Sequence, residues 1–68
     1  MDINDVNIVE WGKRRDMGVV RHKQTGHLLF GWSMDEAKQQ VHILGLGGME
    51  WRGTDLKETI ETALKDIG

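Results

Sequence analysis

Through the first half of the chain, apolar positions alternate with polar ones at the period of a β-strand. Val6-Asn7-Ile8-Val9-Glu10-Trp11 is rich in β-branched and aromatic residues, which suit a pleated, half-buried surface. Two further runs, 17–23 and 27–32, flank Lys23-Gln24-Thr25-Gly26. Gly26 suits the left-handed position of a type I turn closed by a bulge. That turn sets Lys23 opposite His27, His22 opposite Leu28, Val20 opposite Phe30 and Gly18 opposite Trp32. One face then carries Val20, Leu28, Phe30 and Trp32, with the Trp32 ring over the bare Gly18. The other carries Val19, Arg21, Lys23, His27 and Leu29. Gly12-Lys13-Arg14-Arg15-Asp16 is the turn between the first two strands. Pairing Trp11 with Met17 across it brings Val6 and Ile8 onto the Val20/Phe30 face. Two independent turns agree on one apolar face, as a three-stranded antiparallel meander requires.

The second half changes period. Ser33-Met34-Asp35-Glu36 has the form of a capping box, with Ser33 as N-cap. Met34, Ala37, Val41 and Leu44 follow at helical spacing, and Gly45 is a stop. A last helix starts near Thr54 or Asp55, with Leu56, Ile60, Ala63, Leu64 and Ile67 as its apolar stripe. Between them, Met49-Glu50-Trp51-Arg52 is a candidate for a short fourth strand. The expected fold is therefore α+β: a three-stranded antiparallel meander, a helix, a short fourth strand and a C-terminal helix. This βββα(β)α order makes a two-layer sandwich, one domain over residues 1–68, with the strand after the first helix crossing over right-handed.

Composition narrows the function classes. The 68 residues include no Cys, no Pro and no Tyr, and the formal net charge is -2. No disulfide framework and no cysteine-based zinc site can form. The apolar runs are too short to span a membrane, and the first residues lack the basic and apolar regions of a signal peptide. A cytoplasmic location is the expectation. A core this small, without staples, gains from a partner or a second copy.

The inventory for catalysis is thin. Ser33 is assigned to a helix cap, Thr25 to a turn and Thr54 to a cap, so no nucleophile has an evident base. His22, His27 and His42 lack the spacing that puts two imidazoles on one face of a helix, and the hairpin register separates His22 from His27. His22 reads as a partly buried residue at the sheet end. Gly45-Leu46-Gly47-Gly48 follows a helix in this reading and lacks the strand-before, helix-after context of a phosphate loop. The expectation is a non-enzyme with no cofactor and no metal site.

Charge is unevenly placed. Residues 1–9 carry -2, residues 10–31 carry +3, residues 32–53 carry -1 and residues 54–68 carry -2. Lys13, Arg14 and Arg15 sit on the first turn, while Arg21, Lys23 and His27 share the second sheet face with Trp11, Val9, Val19 and Leu29. These seven polar and aromatic residues (Trp11, Lys13, Arg14, Arg15, Arg21, Lys23 and His27) form the candidate contact face. Trp and Arg dominate interface hot spots, so a protein partner is the leading expectation. In size and composition the chain is similar to small regulators and inhibitors of phages and mobile elements. The alternative is a nucleic acid held by Lys13–Arg15, Arg21 and Lys23, with Trp11 stacking a base. A third is a structural homodimer in which Asp55, Glu58, Glu61 and Asp66 of the last helix meet the basic face of a second copy.

Overall fold

The computed structural model describes residues 1–13 and 15–68. A 3-10 turn, Ile3–Asp5, leads into β1 (Val6–Glu10), β2 (Met17–His22), β3 (Leu28–Asp35) and β4 (Gln40–Leu44), a second, Leu46–Gly48, leads to β5 (Glu50–Gly53), and α1 (Leu56–Ile67) closes the chain. The strands form one antiparallel sheet in the order β1-β2-β3-β4-β5. The class is α+β, with five strands and one long helix in place of the expected four and two.

The first three strands take the predicted arrangement. Trp11 N–H donates to Met17 O, and Ile8 lies opposite Val20. Val20 lies opposite Phe30 and Gly18 opposite Trp32. The Trp32 ring covers Gly18 so closely that a Cβ there would stand 2.7 Å from its Cζ2, and it would also collide with the Val9 carbonyl oxygen. The Trp32 Nε1–H donates to Val19 O at 3.2 Å.

One detail of this hairpin differs. His22, not Lys23, pairs with His27, because the turn is closed by His22 N–H to His27 O and Gly26 N–H to His22 O. The His22 Nδ1 accepts from the Gln24 and Thr25 amides at 3.2 and 3.4 Å, which holds this half-buried side chain to the turn. Gly26 has the expected left-handed backbone, at φ 74. The surplus residue is absorbed by an irregularity where Val20 faces Phe30 but Arg21 faces Leu28. Leu29 therefore packs against the core and Leu28 is exposed, the reverse of the expected order.

The expected first helix is a hairpin. Ser33 lies inside β3 opposite His42, and the chain turns at residues 36–39. Asp35 Oδ1 accepts from Lys38 N–H, so the carboxylate meant for a helix start closes a strand turn. The reason lies in which residues each alternative buries. A helix would bury Ala37 and Leu44; both are exposed in the hairpin, while Val41 and Ile43 are 3% and 0% exposed. Trp32 and Met34 on one arm and Val41 and Ile43 on the other share one face at period two. Fully burying a branched residue such as Ile43 is worth about 2 kcal/mol, more than burying Ala37. With no helix between them, β4 and β5 join through a tight glycine-rich turn at residues 45–49, and no right-handed crossover occurs.

The last helix starts where expected. Asp55 is its N-cap, accepting from Glu58 N–H at 2.9 Å. Its inner face buries Ile60, Ala63 and Leu64 against Val6, Val20, Phe30, Trp32, Val41 and Ile43. Trp51 joins from β5, edge-on to Phe30 with ring centroids 5.3 Å apart. Its Nε1–H donates to Asp66 Oδ2 at 2.6 Å, which fastens the helix to the sheet. Among the described residues, no helix is long and apolar enough to cross a membrane.

The Trp32–Gly18 contact generates a stability prediction. Gly18→Ala is expected to cost about 2 kcal/mol or more, through the crowding of an added methyl. For a domain of this size that lowers the thermal midpoint by roughly 8–16 °C. Thermal unfolding followed by circular dichroism measures it, and a midpoint within two or so degrees of wild type would show that Gly18 is not closely packed between the Val9 carbonyl and the Trp32 ring.

Candidate functional site

The sheet has a second face, opposite the helix, and no element among the described residues covers it. Its side chains follow from strand parity. Val9, Val19, Gly31, Leu44 and Glu50 form one cross-strand row, and Met17, Ser33, His42 and Arg52 form the next, with Trp11 beside Met17. Asn7, Arg21 and Leu28 make a third.

The β1–β3 side of this face is apolar. Val9, Trp11 and Leu28 are 41%, 68% and 48% exposed. Together with Glu10, Val19 and Arg21 they line a shallow hollow of about 410 Å³. No hydrogen bond to Trp11 Nε1 is formed among the described residues, in contrast to Trp32 and Trp51, whose indole N–H groups are both satisfied. Gly31 leaves a gap in the middle of the face, where an added Cβ would meet nothing within 4 Å.

The predicted contact residues do not all converge. Trp11 lies on the exposed face as expected, and Arg21 lines the same hollow. The Arg21 guanidinium also donates to Gly26 O at 3.0 Å, which holds it along the β2–β3 turn. Lys23 and His27 are exposed at that turn, at one end of the sheet, but His27 stands opposite His22 on the parity of Val6 and not, as expected, on that of Arg21. Lys13 and Arg15 are on the β1–β2 turn at the other end, about 17–20 Å away along a six-residue strand. Arg14 lies outside the described residues. The basic residues therefore bracket the apolar hollow from two ends and do not form one patch. At the β1–β2 end they also meet acid: Lys13 and Arg15 share a hollow with Asp16, Met34, Asp35 and Glu36. The end of this turn is tied to β3 by Met34 N–H donating to Asp16 O at 2.7 Å.

The β3–β5 side of the face is polar, and the sequence reading missed it. His42 was expected on a helix; as part of β4 it stands between Ser33 and Arg52. Its Nε2 lies 3.5 Å from Glu50 Oε2 without forming a hydrogen bond, and Arg52 lies 3.8 Å from the same carboxylate oxygen. Leu44, 49% exposed, ends this side. The period-two pattern Val41-His42-Ile43-Leu44 was the signal that would have found it. Among the described residues no group of three or more His, Asp or Glu side chains is placed to hold a metal ion.

Two acidic residues of α1 have structural duties: Asp55 caps the helix and Asp66 accepts from Trp51. Comparison of the chain with protein-family models, with curated proteins and with solved structures gives no match.

The contrast among the tryptophans can be measured directly. Iodide is expected to quench the fluorescence of Trp11 and to leave that of Trp32, 4% exposed, almost untouched. Trp11→Phe should remove most of the quenchable emission. Equal quenching before and after the substitution would place Trp11 in the core.

Proposed function

We propose that this chain is a small, non-catalytic binding protein that regulates or inhibits a protein partner, docking it on the apolar half of its outer sheet face. The observation that carries this reading is Trp11. It is 68% exposed, beside Val9, Leu28 and Arg21, in a fold that satisfies its other two indoles. An exposed apolar patch with an unanchored Trp and an adjacent Arg has the make-up of an interface centre. The cations at the two ends, Lys13 and Arg15 at one and Lys23 at the other, supply a polar rim. The partner that fits presents apolar side chains to the hollow and carboxylates at its edges.

The charge distribution favours a protein over a nucleic acid. Asp35 and Glu36 stand beside the turn cations Lys13 and Arg15. A phosphate backbone would meet those carboxylates as well as the cations. Single-stranded RNA readers on sheets stack bases on two or three aromatics. Here Phe30 and Trp32 are in the core and Trp51 packs against it, so Trp11 alone is presented.

Affinity capture from nuclease-treated host lysate, with wild type and Trp11→Ala compared side by side, tests the reading. Loss of a hot-spot Trp should lower recovery of the bound protein by roughly thirtyfold, with the circular-dichroism spectrum and thermal midpoint unchanged. Equal recovery by both chains, or no protein retained by wild type, would overturn it. Retention of nucleic acid from untreated lysate, weakening steeply with salt, would replace it with the nucleic-acid alternative.

A further inference from the structure

The β1 strand is one edge of the sheet, and its register shows which backbone groups are free. Trp11 N–H donates to Met17 O, Lys23 N–H donates to Asp5 O, and Val9 faces Val19 between them. In an antiparallel ladder the residues at this parity bond inward, so the N–H and C=O groups of Ile8 and Glu10 point out to the free edge. The Val6 carbonyl points the same way, while its N–H is taken by Ile3 O.

This edge is only lightly protected: the one charge on the strand is Glu10, at its end. Val6–Glu10 contains no Lys, Arg or Pro, and its pairing with β2 shows no bulge. Natural edge strands are ordinarily blunted by one of these devices or by a covering element. At the other edge of the sheet, α1 packs against β5 and β4. On β1, Ile8 is 39% exposed on the helix-side face and Val9 is 41% exposed on the outer face.

We propose that β1 pairs antiparallel with β1 of a second copy of this chain, joining two five-stranded sheets into one. This concerns the edge and does not rest on the function proposed for the outer face. Two features select a second copy as the occupant. First, an antiparallel pairing centred on Ile8 sets Ile8 against Ile8 and Val6 against Glu10. Each outward-pointing residue then meets another outward-pointing residue, as the self-complementarity of a two-fold interface requires. The two half-exposed Ile8 side chains cover each other on the helix side. Second, the charges that flank the strand in sequence favour one direction. Asp2 and Asp5 precede the strand, and Lys13 and Arg15 follow it. Antiparallel pairing brings the acidic start of one copy beside the basic turn of the other at both ends of the interface. Parallel pairing would set like charge on like.

Sedimentation velocity of the full chain over roughly a hundredfold range of concentration tests this. The expected result is a species of twice the 7.8 kDa chain mass at the upper end. Ile8→Lys, an inward-facing charge on an edge, should give monomer at every concentration with an unchanged far-ultraviolet spectrum. Glu10→Pro is the second variant, because it removes an outward N–H and leaves the β1–β2 ladder intact. It should also give monomer if Ile8→Lys does not fold. A wild-type chain that is monomeric throughout would overturn the proposal. So would a dimer that survives both edge variants, or one that is lost in Trp11→Ala and kept in Ile8→Lys. The last result would place self-association on the outer face.

Discussion

The rest of the structure depends on the Trp32 ring lying across Gly18. The missing side chain at Gly18 lets an indole rest directly on β2, and the Nε1–H bond to Val19 O fixes it there. A shift of one residue between β2 and β3 would set Trp32 opposite Met17 or Val19 and turn every side chain of β3 to the other face. From this contact a single row runs across the sheet, Gly18, Trp32, Ile43 and Trp51, and brings Trp51 to the bond with Asp66 that fastens the helix. A chain of 68 residues without disulfides has few other means of setting register, so the weight placed on one glycine and one indole is large.

This economy leaves one face of the sheet uncovered. One helix of 12 residues can cover one side of five strands, and it does so over β4, β5 and the middle of the core. The outer side must then be polar or must have another use. Between β3 and β5 it is polar, with Ser33, His42, Glu50 and Arg52. Between β1 and β3 it is not, and an exposed Trp beside Val9 and Leu28 is costly to keep in water unless something covers it for part of the time. The three tryptophans thus separate by anchoring as well as by exposure: Trp32 to Val19, Trp51 to Asp66, and Trp11 to nothing in the described fold.

The first half of the chain was legible because its turns carry fixed chemistry. Gly26 marks a left-handed turn position and Trp11 pairs with Met17 as expected, so the pairings from Ile8–Val20 through Gly18–Trp32 were within reach of residue types, while the pair that closes the β2–β3 turn was not. The exchange of Leu28 and Leu29 was not legible, since both are leucines and the bulge that separates them depends on how His22 binds the turn amides. The hairpin at Ser33–Leu44 was misread for a related reason. Ser-x-x-Glu is a capping signal, and Met34, Ala37, Val41 and Leu44 fit a helix, yet Trp32, Met34, Val41 and Ile43 fit two strands about a four-residue turn. Local pattern does not choose between them. The choice is made by the rows into which Trp32 and Ile43 fit, and those rows exist only once the first hairpin has formed.

That misreading also changes the electrostatic picture. With residues 33–44 as a helix, Asp35 and Glu36 would have begun a helix on the far side of the sheet, and the +3 segment would have stood alone as a basic face. As a hairpin, the same stretch carries Asp35 and Glu36 to the tip of the β3–β4 turn, next to Lys13 and Arg15. The long-range field of the basic segment is offset at that end, while the contact chemistry of the Trp11 hollow is unchanged. Attraction of a polyanion depends on the summed field, which this neighbourhood weakens. Docking of an apolar group depends on local shape and desolvation, which it leaves intact. The hairpin therefore shifts the balance of the outer face from charge attraction toward apolar recognition.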